Sequence, residues 1–450
     1  MIKLPEKFEK RMKSLLKDEY PLYEKAINEP TQKGFRVNTD KISVSDFEKI
    51  NPFGGEKIPY VENGFYLEQQ KVGNHPFHHA GLIYIQEPAA MAPAECVEIN
   101  PDWKILDMCA APGGKSTQLK NKLGEKGVLV SNEIIPSRCK ILTGNIERLG
   151  LKNCITTCMD TSRLAETFPN MFDFIMLDAP CSGEGMFRKE PNAILEWSEE
   201  NITLCAKRQR EILENAVKLL KSGGIIIYST CTFSLEENEM VVDDFLNTHP
   251  EFTLCEVNEA VKQATVDGVC FEGCRNQNIH FTRRFYPHTN RGEGQFMAVL
   301  KSTLPKIENV SPEPKAEKIN PLITDFLKDT LTEFSLDAIR IYNKNPVYFE
   351  NAIPLADGKA FMYGVTIGEI KKNFISPHHQ FFMAFGHKFK RNLELSLSDP
   401  RLAKYLHGEE IEAELPNGWA VVTVEGCTLG GIKVVNGTAK NHYPKGLRIV

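Results

Sequence analysis

The sequence predicts an α/β fold with a mostly parallel, doubly wound sheet, an N-terminal α+β extension and a C-terminal β-rich module. Three observations predict this architecture. Apolar runs alternate with helical stretches between residues 103 and 300. An amphipathic pattern precedes this region, and short apolar runs separated by glycine turns follow it. Regular alternation of strands with helices favours parallel strands joined by helical crossovers.

The first 100 residues predict the N-terminal extension. Phe8, Met12, Leu15 and Leu16 recur at helical spacing, which predicts an amphipathic helix that runs into FRVNT. Between residues 41 and 100, turns such as NPFGG and ENG separate short predicted strands.

Residues 101–303 predict the sheet and its crossover helices. Each short apolar run is interpreted as a buried strand, and each amphipathic stretch between two runs as a helix. The predicted elements are, in order, strand KILDM, helix STQLKNKL, strand GVLVSNE, helix SRCKILTGNIERLG, and strands ITTCMD, FDFIMLD, GGIIIYST and FMAVLKS.

Two segments complete the chain. Residues 304–318, LPKIENVSPEPKAEK, are rich in Pro, Glu and Lys and predict a linker. Residues 319–450 predict a separate region with its own apolar segments. It ends in WAVVTVEGCTLGGIKVVNGTAKNHYPKGLRIV, where glycine turns between short β runs indicate a small β module.

Composition narrows the class of protein. With 42% hydrophobic and 25% charged residues, the chain is typical of globular proteins. No apolar run approaches the roughly 18 residues that span a membrane, and the start lacks the apolar segment of a signal peptide. We therefore predict a cytoplasmic protein without membrane contact.

The cysteines and histidines do not predict a metal site. The 12 cysteines include no C-x-x-C pair, which argues against a zinc ribbon and a disulfide framework. His75, His78 and His79 in NHPFHHAG have no acidic or thiol partner at ligand spacing. A turn or a surface that faces RNA is the preferred interpretation of these histidines.

The net charge of −5 is unusual for a nucleic-acid binder, but charge is distributed unevenly. The last twenty residues carry four basic side chains and no carboxylate, namely Lys433, Lys440, Lys445 and Arg448. A second basic segment contains Arg283, Arg284, His288 and Arg291. Local basic patches of this kind can contact phosphates on an acidic protein.

The loop AAPGGKS after the first strand of the sheet is a candidate cofactor site. Small residues allow a backbone to approach a ligand, and the following helix directs its N-terminal dipole at the loop. A P-loop requires glycine where Cys109 stands, and no G-x-G-x-x-G dinucleotide motif is present. S-adenosylmethionine remains as the predicted cofactor.

Two carboxylates at strand ends extend this prediction. Glu133 ends the second predicted strand, where acidic residues commonly accept hydrogen bonds from a ribose. Asp160 ends the third strand and is a candidate for the adenine amino group. The alternative is that both are solvated loop carboxylates.

Cys181 in LDAPCSGEGMF and Cys231 in IIIYSTCTFS each follow a predicted strand, and Asp178 precedes the first. Two thiols at one sheet edge indicate covalent chemistry on an electron-poor ring. A thiolate that adds to carbon 6 of cytosine, with a proton or hydrogen bond at N3, makes carbon 5 nucleophilic enough to take a methyl group. A base then removes the carbon 5 proton before the thiol leaves. The alternative is a pair of core thiols.

The motifs LDMCAAPGGKSTQL, LDAPCSGEGMFRKEP, RQREIL and GGIIIYSTCTFSLEENEMVV resemble the Sun (Fmu) family of RNA cytosine-5 methyltransferases. FRVN, GLIYIQEPAAM and GEGQFMAVL also fit, so the resemblance covers about residues 30 to 300. The tail GIKVVNGTAKNHYPKGLR resembles the PUA-like end of the bacterial RsmF-type members, which methylate small-subunit ribosomal RNA. The resemblance implies a Rossmann-like methyltransferase core between an RNA-binding extension and a PUA-like module.

The resemblance also implies roles for individual residues. Cys231 would be the nucleophile, Cys181 would assist product release and Asp178 would hold the cytosine. The residues implied in S-adenosylmethionine binding are Cys109, Ala110, Ala111, Pro112, Gly113, Gly114, Lys115, Glu133, Arg138, Asp160 and Asp178. Contacts with RNA are expected at Lys433, Lys440, Lys445 and Arg448.

We therefore predict a monomeric enzyme that methylates carbon 5 of cytosine in 16S rRNA through a covalent bond to Cys231. Methylation of tRNA by the same chemistry is one alternative, and a non-catalytic RNA-binding ribosome-assembly factor is another. Two basic segments each allow two interpretations. HHQFFMAFGHKFKR is typical of proteins that bind single-stranded nucleic acid, but its aromatic residues could equally belong to the core. Arg188 and Lys189 could contact phosphates or could be ordinary surface charges.

Overall fold

The computed structural model describes residues 2–68, 72–305 and 319–449. The predicted linker over 304–318 lies outside these ranges apart from Leu304 and Pro305. Within them, no helix combines the length and apolar character that crossing a membrane requires.

The N-terminal region combines short helices with a three-stranded antiparallel sheet in which β1 is central. Its elements are α1 (Glu6–Leu16), α2 (Tyr20–Ile27), β1 (Lys33–Val37), α3 (Val44–Ile50), β2 (Gly64–Leu67), α4 (Pro76–His79) and β3 (Ile83–Gln86). The amphipathic helix predicted at the start is present as α1. It buries Phe8, Met12 and Leu16, whereas Leu15 is half-buried.

The central region contains the predicted alternation of strands and helices. Its elements are β4 (Lys104–Asp107), α5 (Gly114–Lys122), β5 (Val128–Asn132), α6 (Pro136–Leu149), β6 (Cys154–Thr157), α7 (Thr161–Thr167), β7 (Phe172–Asp178), α8 (Pro191–Glu196), α9 (Glu199–Leu219), β8 (Leu220–Thr230), α10 (Glu239–Thr248), β9 (Phe252–Cys255), α11 (Glu259–Gln263), β10 (Val266–Asp267), β11 (Arg283–Phe285) and β12 (Gln295–Ser302).

The parallel strands lie in the spatial order β6-β5-β4-β7-β8. The chain leaves β4 first toward β5 and β6 and later returns to its other side as β7 and β8. This reversal creates a switch point beside β4, where ligands bind in open α/β sheets. β12 pairs antiparallel with β8 and extends the sheet toward β11 and β10. The predicted doubly wound sheet is confirmed.

The C-terminal region contains the predicted β module. Its elements are α12 (Pro321–Thr330), β13 (Ile339–Tyr342), β14 (Asn345–Tyr348), β15 (Met362–Tyr363), β16 (Val365–Thr366), β17 (Gly368–Ile370), β18 (Ile375–Pro377), α13 (His379–Phe385), β19 (Asn392–Leu395), α14 (Pro400–His407), β20 (Ile411–Glu412), β21 (Gly418–Val424), β22 (Cys427–Val435) and β23 (Thr438–Asn441). Its last sheet has the strand order β19-β21-β22-β23-β20.

The C-terminal region is less separate than the sequence predicts. β15 pairs antiparallel with β6 and forms an edge of the central sheet. Phe349 and Tyr363 are buried in the same hydrophobic core as strands of that sheet. Short strands of two residues carry no period-2 pattern, so this pairing had no signal in the sequence.

The C-terminal sheet also shares a hydrophobic core with the N-terminal sheet. Phe35 and Phe65 of the N-terminal sheet belong to the same cluster as Leu395 and Val422 of the C-terminal one. His79 Nδ1 lies 2.8 Å from the Tyr443 hydroxyl across this contact. The first and last regions of the chain therefore pack together as one unit.

Aromatic residues in HHQFFMAFGHKFKR belong to the interior of the protein. Phe381, Phe382, Phe385 and Phe389 are buried in one core cluster, most of them on the buried helix α13. They cannot stack on a nucleic acid from this position, so the interpretation as core aromatics is confirmed.

Candidate active site

The loop between β4 and α5 is built for close approach of a ligand. Gly113, the residue before α5, has a φ of +112°, a conformation that side chains disfavour. A Cβ added at Gly114 would lie 3.1 Å from the Gln86 side chain. The Ala110 N–H donates to the Asn132 carbonyl over 2.8 Å, which holds the loop against β5. Steric crowding and backbone conformation therefore explain why small residues occupy this loop.

Asp107, the last residue of β4, is a candidate functional residue that the sequence did not indicate. It is buried, and its Oδ2 accepts a hydrogen bond from Ser116 Oγ over 2.6 Å. Its Oδ1 has no hydrogen-bond partner in the part of the chain that the structure describes, and the residue lines the cavity beside the loop. Burial raises the pKa of Asp107 to about 7. An ammonium donor from a ligand would satisfy this oxygen, so the site fits an amino-acid-bearing cofactor such as S-adenosylmethionine.

Glu133 and Arg138 lie next to the same loop. Glu133 is buried, and its Oε1 accepts from the Ile135 N–H over 2.9 Å. Arg138 Nη1 lies 3.4 Å from Glu133 Oε2, and its Nη2 donates to the Ala111 carbonyl over 2.9 Å. This pair therefore links the end of β5 to the cofactor loop.

Asp160 caps the N-terminus of α7. It is exposed at the N-terminus of α7, and its Oδ1 accepts from the Arg163 N–H over 3.0 Å as a helix cap. Ser162 Oγ donates to the same oxygen over 2.6 Å. The proposed contact of Asp160 with a cofactor stays a prediction.

The two cysteines lie just past the ends of adjacent parallel strands. β7 ends at Asp178 and β8 at Thr230, and Asp178 is in register with Ser229. Cys181 Sγ and Cys231 Sγ are 3.3 Å apart, within hydrogen-bonding distance for sulfur. The prediction that both thiols reach one sheet edge agrees with this geometry.

The Cys181 thiol differs from an ordinary exposed thiol. Its hydrogen bond with Cys231, together with burial, raises the pKa of Cys181 well above the usual range. Either thiol can be the donor in this contact, and with Cys181 as the donor the contact stabilises negative charge on the Cys231 sulfur. A thiolate is the nucleophilic form of cysteine, and a donor beside it stabilises the negative charge.

Asp178 connects the thiols to the cofactor loop. Its Oδ2 accepts from Lys115 Nζ over 2.8 Å, and its Oδ1 accepts from Ser229 Oγ over 2.6 Å. Gln295 Nε2 donates to the same Oδ1 over 3.3 Å. Burial opposes the charge on Lys115, but Asp178 outweighs it and raises the pKa of this lysine. Ser229 and Gln295 had no distinguishing signal in the sequence.

These residues face one cavity of about 560 Å³. Its lining includes Asp107, Gly114, Lys115 and Asp178 together with both cysteines, Cys181 and Cys231. Cavities of this size hold small molecules and nucleotides. The arrangement therefore places a cofactor loop, an acid with its lysine and two thiols around a shared space.

Two predictions about basic residues need correction. The Arg188 side chain is only 9% exposed, forms an ion pair with Glu293 over 2.9 Å and donates to the Ala26 carbonyl, so its guanidinium is not free for phosphates. Arg284 is likewise buried and paired with Glu239. Arg283 and Arg284 therefore do not form an open basic patch, because both are buried and paired with acids, whereas Arg291 is exposed and pairs with Glu56. Lys189, by contrast, lines the cavity.

Three family models match the chain. The model of the 16S rRNA methyltransferase RsmB/F matches residues 94–301. The model of the N-terminal domain of 16S rRNA methyltransferase RsmF matches residues 4–88. The model of the methyltransferase RsmF PUA domain matches residues 392–449.

Whole-chain relatives agree with these matches. The ribosomal RNA small subunit methyltransferase F of Shewanella piezotolerans is 30% identical over 93% of this chain and 92% of its own length. That of Vibrio parahaemolyticus is 32% identical over 94% and 92%. A solved structure of a methyltransferase homolog protein from Pyrococcus horikoshii has a TM-score of 0.59 and 29% identity, covering 67% of this chain and 96% of that one. The chain therefore belongs to the RsmB/F family of S-adenosylmethionine-dependent 16S rRNA methyltransferases.

Proposed function

We propose that the protein methylates carbon 5 of a cytosine in small-subunit rRNA through a covalent bond between Cys231 and carbon 6. The observation that carries this proposal is the contact of Cys181 and Cys231 at 3.3 Å beside Asp178. A protein that only bound RNA would not need two thiols and an acid around one cavity. A ribosomal substrate also implies a cytoplasmic location.

The cofactor, when bound, would supply an electrophilic methyl group. The backbone of residues 109–115 would hold it, with Asp107 accepting from its ammonium group and Glu133 reaching its ribose. Arg138 keeps Glu133 and the loop together. The methyl-accepting base would lie between this loop and the thiols, in the cavity that Asp178 lines.

Attack by Cys231 begins the proposed reaction. The Cys181 and Cys231 sulfurs lie 3.3 Å apart, and with Cys181 as the donor this contact would favour the Cys231 thiolate that adds to carbon 6. As sulfur adds, electron density accumulates at N3 of the ring. Asp178 is placed to pass a proton from Lys115, 2.8 Å away, to that nitrogen. Carbon 5 is then nucleophilic enough to accept the methyl group.

Release completes the cycle. A base removes the carbon 5 proton, the bond between sulfur and carbon 6 breaks, and Asp178 takes back the proton from N3. Cys181 lies beside the departing sulfur, which supports its assignment to the release step. Covalent catalysis of this kind divides one difficult substitution into two easier steps.

The C-terminal sheet supports RNA as the partner. Trp419 of β21, Lys433 of β22 and Lys440 of β23 are neighbours in register. Lys433 Nζ lies 5.3 Å from the centre of the Trp419 ring, and His442 packs against that ring at 4.6 Å. Over the described ranges, neither lysine has an ion-pair partner. Like charges directly opposite each other are unfavourable unless an anion such as a phosphate lies between them.

Lys445 and Arg448 lie elsewhere on the module. Lys445 is exposed, whereas Arg448 Nη2 donates to the Tyr443 carbonyl over 3.3 Å. We assign Lys433 and Lys440 the larger share of RNA contact, because Arg448 is partly engaged with its own backbone.

Covalent trapping tests the proposed reaction. Wild type, Cys181→Ala and Cys231→Ala are incubated with S-adenosylmethionine and small-subunit rRNA, then separated on a denaturing gel. We expect a protein–RNA adduct to accumulate with Cys181→Ala, and neither adduct nor 5-methylcytosine with Cys231→Ala. An adduct that needs Cys181 and survives loss of Cys231 would reverse the two roles. Parallel reactions with tRNA distinguish the substrates, and RNA binding without turnover by wild type would indicate an assembly factor.

A further inference from the structure

Two buried glutamates join the loops that carry the cysteines. Glu184 lies three residues after Cys181, and Glu237 lies in the loop that follows Cys231. Both side chains are almost completely inaccessible to solvent. The cavity that holds the thiols is lined by Ser182 and Gly183, whereas these two carboxyl groups lie behind it.

Glu237 holds the residue that follows Cys181. Its Oε2 accepts from the Ser182 N–H over 2.9 Å, and its Oε1 accepts from the Ser182 hydroxyl. Gln209 Nε2 donates to Oε2 over 2.9 Å and to the Pro180 carbonyl over 3.0 Å. Glu237 therefore fixes the backbone after Cys181 directly, and Gln209, which also bonds Glu237, fixes the backbone before it.

Glu184 holds the residues that follow Cys231. Its Oε2 accepts from the Thr232 hydroxyl and from the Phe233 N–H, each over 2.9 Å. Trp197 Nε1 donates to its Oε1 over 2.8 Å. The contact is reciprocal with that of Glu237, since each loop sends a glutamate to the residue that follows the cysteine of the other.

Two further contacts close the gap between the loops. The hydroxyl oxygens of Ser182 and Thr232 are 2.8 Å apart. The Gly185 N–H donates to the Cys231 carbonyl over 2.8 Å, and a Cβ at Gly185 would lie 2.8 Å from that oxygen. The loops thus approach as closely as backbone allows.

Burying two carboxyl groups is unfavourable unless hydrogen bonds satisfy them, and well-packed apolar groups would give equal or greater stability. The donors to Glu184 and Glu237 are N–H, O–H and amide groups of the two loops and of the helices behind them. Such networks fix atoms in one arrangement. What they fix here is the position of one thiol relative to the other.

We propose that Glu184 and Glu237 are positioning residues that set the separation of Cys181 and Cys231 and so allow Cys181 to act on the adduct formed by Cys231. This role rests on the proposed function, because it concerns the release step. A displacement of about 1 Å in an active site can slow a step about a hundredfold. Loss of either glutamate is therefore expected to slow release more than attack.

The first test measures adduct and product together in Glu237→Ala, with wild type and Glu95→Gln as references. Glu95 is also buried and bonded to Gln118 and Lys122, and among the described residues none of its hydrogen bonds reaches the cysteine loops. We expect Glu237→Ala to accumulate the protein–RNA adduct, to lower kcat by about 10- to 100-fold and to leave the KM for RNA within about twofold. Glu95→Gln should resemble wild type.

Two outcomes would overturn the role. In one, adduct and product fall in the same proportion in Glu237→Ala, as expected of a merely destabilised enzyme. In the other, Glu237→Ala and Glu95→Gln behave alike. If Glu237→Ala does not fold, Ser182→Ala and Thr232→Val remove only the contact between the two hydroxyl groups. These variants should also accumulate adduct and lower kcat, but by smaller factors. Partial rescue by Glu237→Gln, which retains one acceptor oxygen, would support positioning.

A second readout does not depend on methyl transfer. Iodoacetamide alkylates thiolates, and the Cys181 pKa is raised by its contact with Cys231. If Glu237→Ala separates the thiols, alkylation of Cys181 at pH 8, followed by mass spectrometry, should accelerate about tenfold for each pKa unit regained. An unchanged rate would overturn the positioning role. Absence of adduct and 5-methylcytosine in wild type would instead contradict the proposed function.

Discussion

The cysteine edge of the central sheet and the open face of the C-terminal sheet place polar groups in opposite ways. Around Cys181 and Cys231, carboxyl groups such as Glu237 are buried and fully engaged in hydrogen bonds. On the C-terminal sheet, Lys433 and Lys440 lie exposed beside each other. Buried networks fix atoms, whereas exposed charges act through a field that salt screens. The first arrangement can hold reacting groups in place and so increase the rate of the reaction. The second can increase the affinity for a polyanion.

The largest expected effect is on the cysteine edge. Asp178→Ala removes the acceptor of Lys115 and the proposed proton path to the base, so the rate of methyl transfer should fall by about 10³-fold, equivalent to about 4 kcal/mol. Single-turnover methylation of small-subunit rRNA measures this rate.

Asp173→Ala is a matched control on the same strand. Asp173 also forms an ion pair with a lysine, Lys221, over 2.8 Å, and its side chain is 25% exposed compared with 32% for Asp178. Its removal should leave kcat unchanged. Equal losses in the two variants would mean that the edge needs only a stable strand and not this acid.

A second effect concerns pH and stability. Burial raises the pKa of Glu237 to about 7 from 4.5. The folded state therefore binds this proton more tightly than the unfolded chain does. The resulting stabilisation is complete below about pH 4.5 and is lost as pH rises through 7. The free energy of unfolding of wild type should fall by about 3 kcal/mol relative to Glu237→Gln over this range.

Urea unfolding at several pH values between 4.5 and 8 measures the difference. A Lys433→Ala/Lys440→Ala variant, altered only on the exposed sheet, should parallel wild type across the same range. Parallel curves for wild type and Glu237→Gln would contradict a raised pKa at this carboxyl and would weaken the contrast between the two regions.

The smallest expected effect belongs to the C-terminal sheet. Lys433→Ala/Lys440→Ala should weaken RNA binding, raise KM and leave kcat unchanged. Affinity falls as salt concentration rises, and the steepness of this fall on logarithmic axes should become smaller by about 2, roughly one for each lysine. Lys207→Ala, at an exposed position on α9, serves as the control with an unchanged slope. A fall in kcat instead of affinity would contradict a binding role.

The sequence predicted the central sheet well because its strands are continuous apolar runs that end in loops with distinctive residues. The strand ends at Asp178 and Thr230 place Cys181 and Cys231 together, as parallel pairing requires. The cofactor loop was predictable for a similar reason, since a Cβ added at Gly114 would lie 3.1 Å from the Gln86 side chain and only a small residue fits there.

Other features depend on partners that are distant in the chain. Asp107 is distinguished by an oxygen that lacks a hydrogen-bond partner among the described residues, which only the folded structure shows. Gln295 and Ser229 matter because they donate to Asp178. The prediction for Arg188 was wrong for the same reason, because Glu293, its ion-pair partner, lies far away in the sequence. Sequence spacing reports a side chain's type and not the group it meets.

The core shared by the first and last sheets has a consequence for biosynthesis. Phe35 and Phe65 emerge early in translation, whereas Leu395 and Val422, which belong to the same core, are made near the end. At roughly 5–20 residues per second, the N-terminal aromatics wait tens of seconds for their partners. This core therefore stays incomplete throughout most of the chain's synthesis, and the last strands complete the fold of the first.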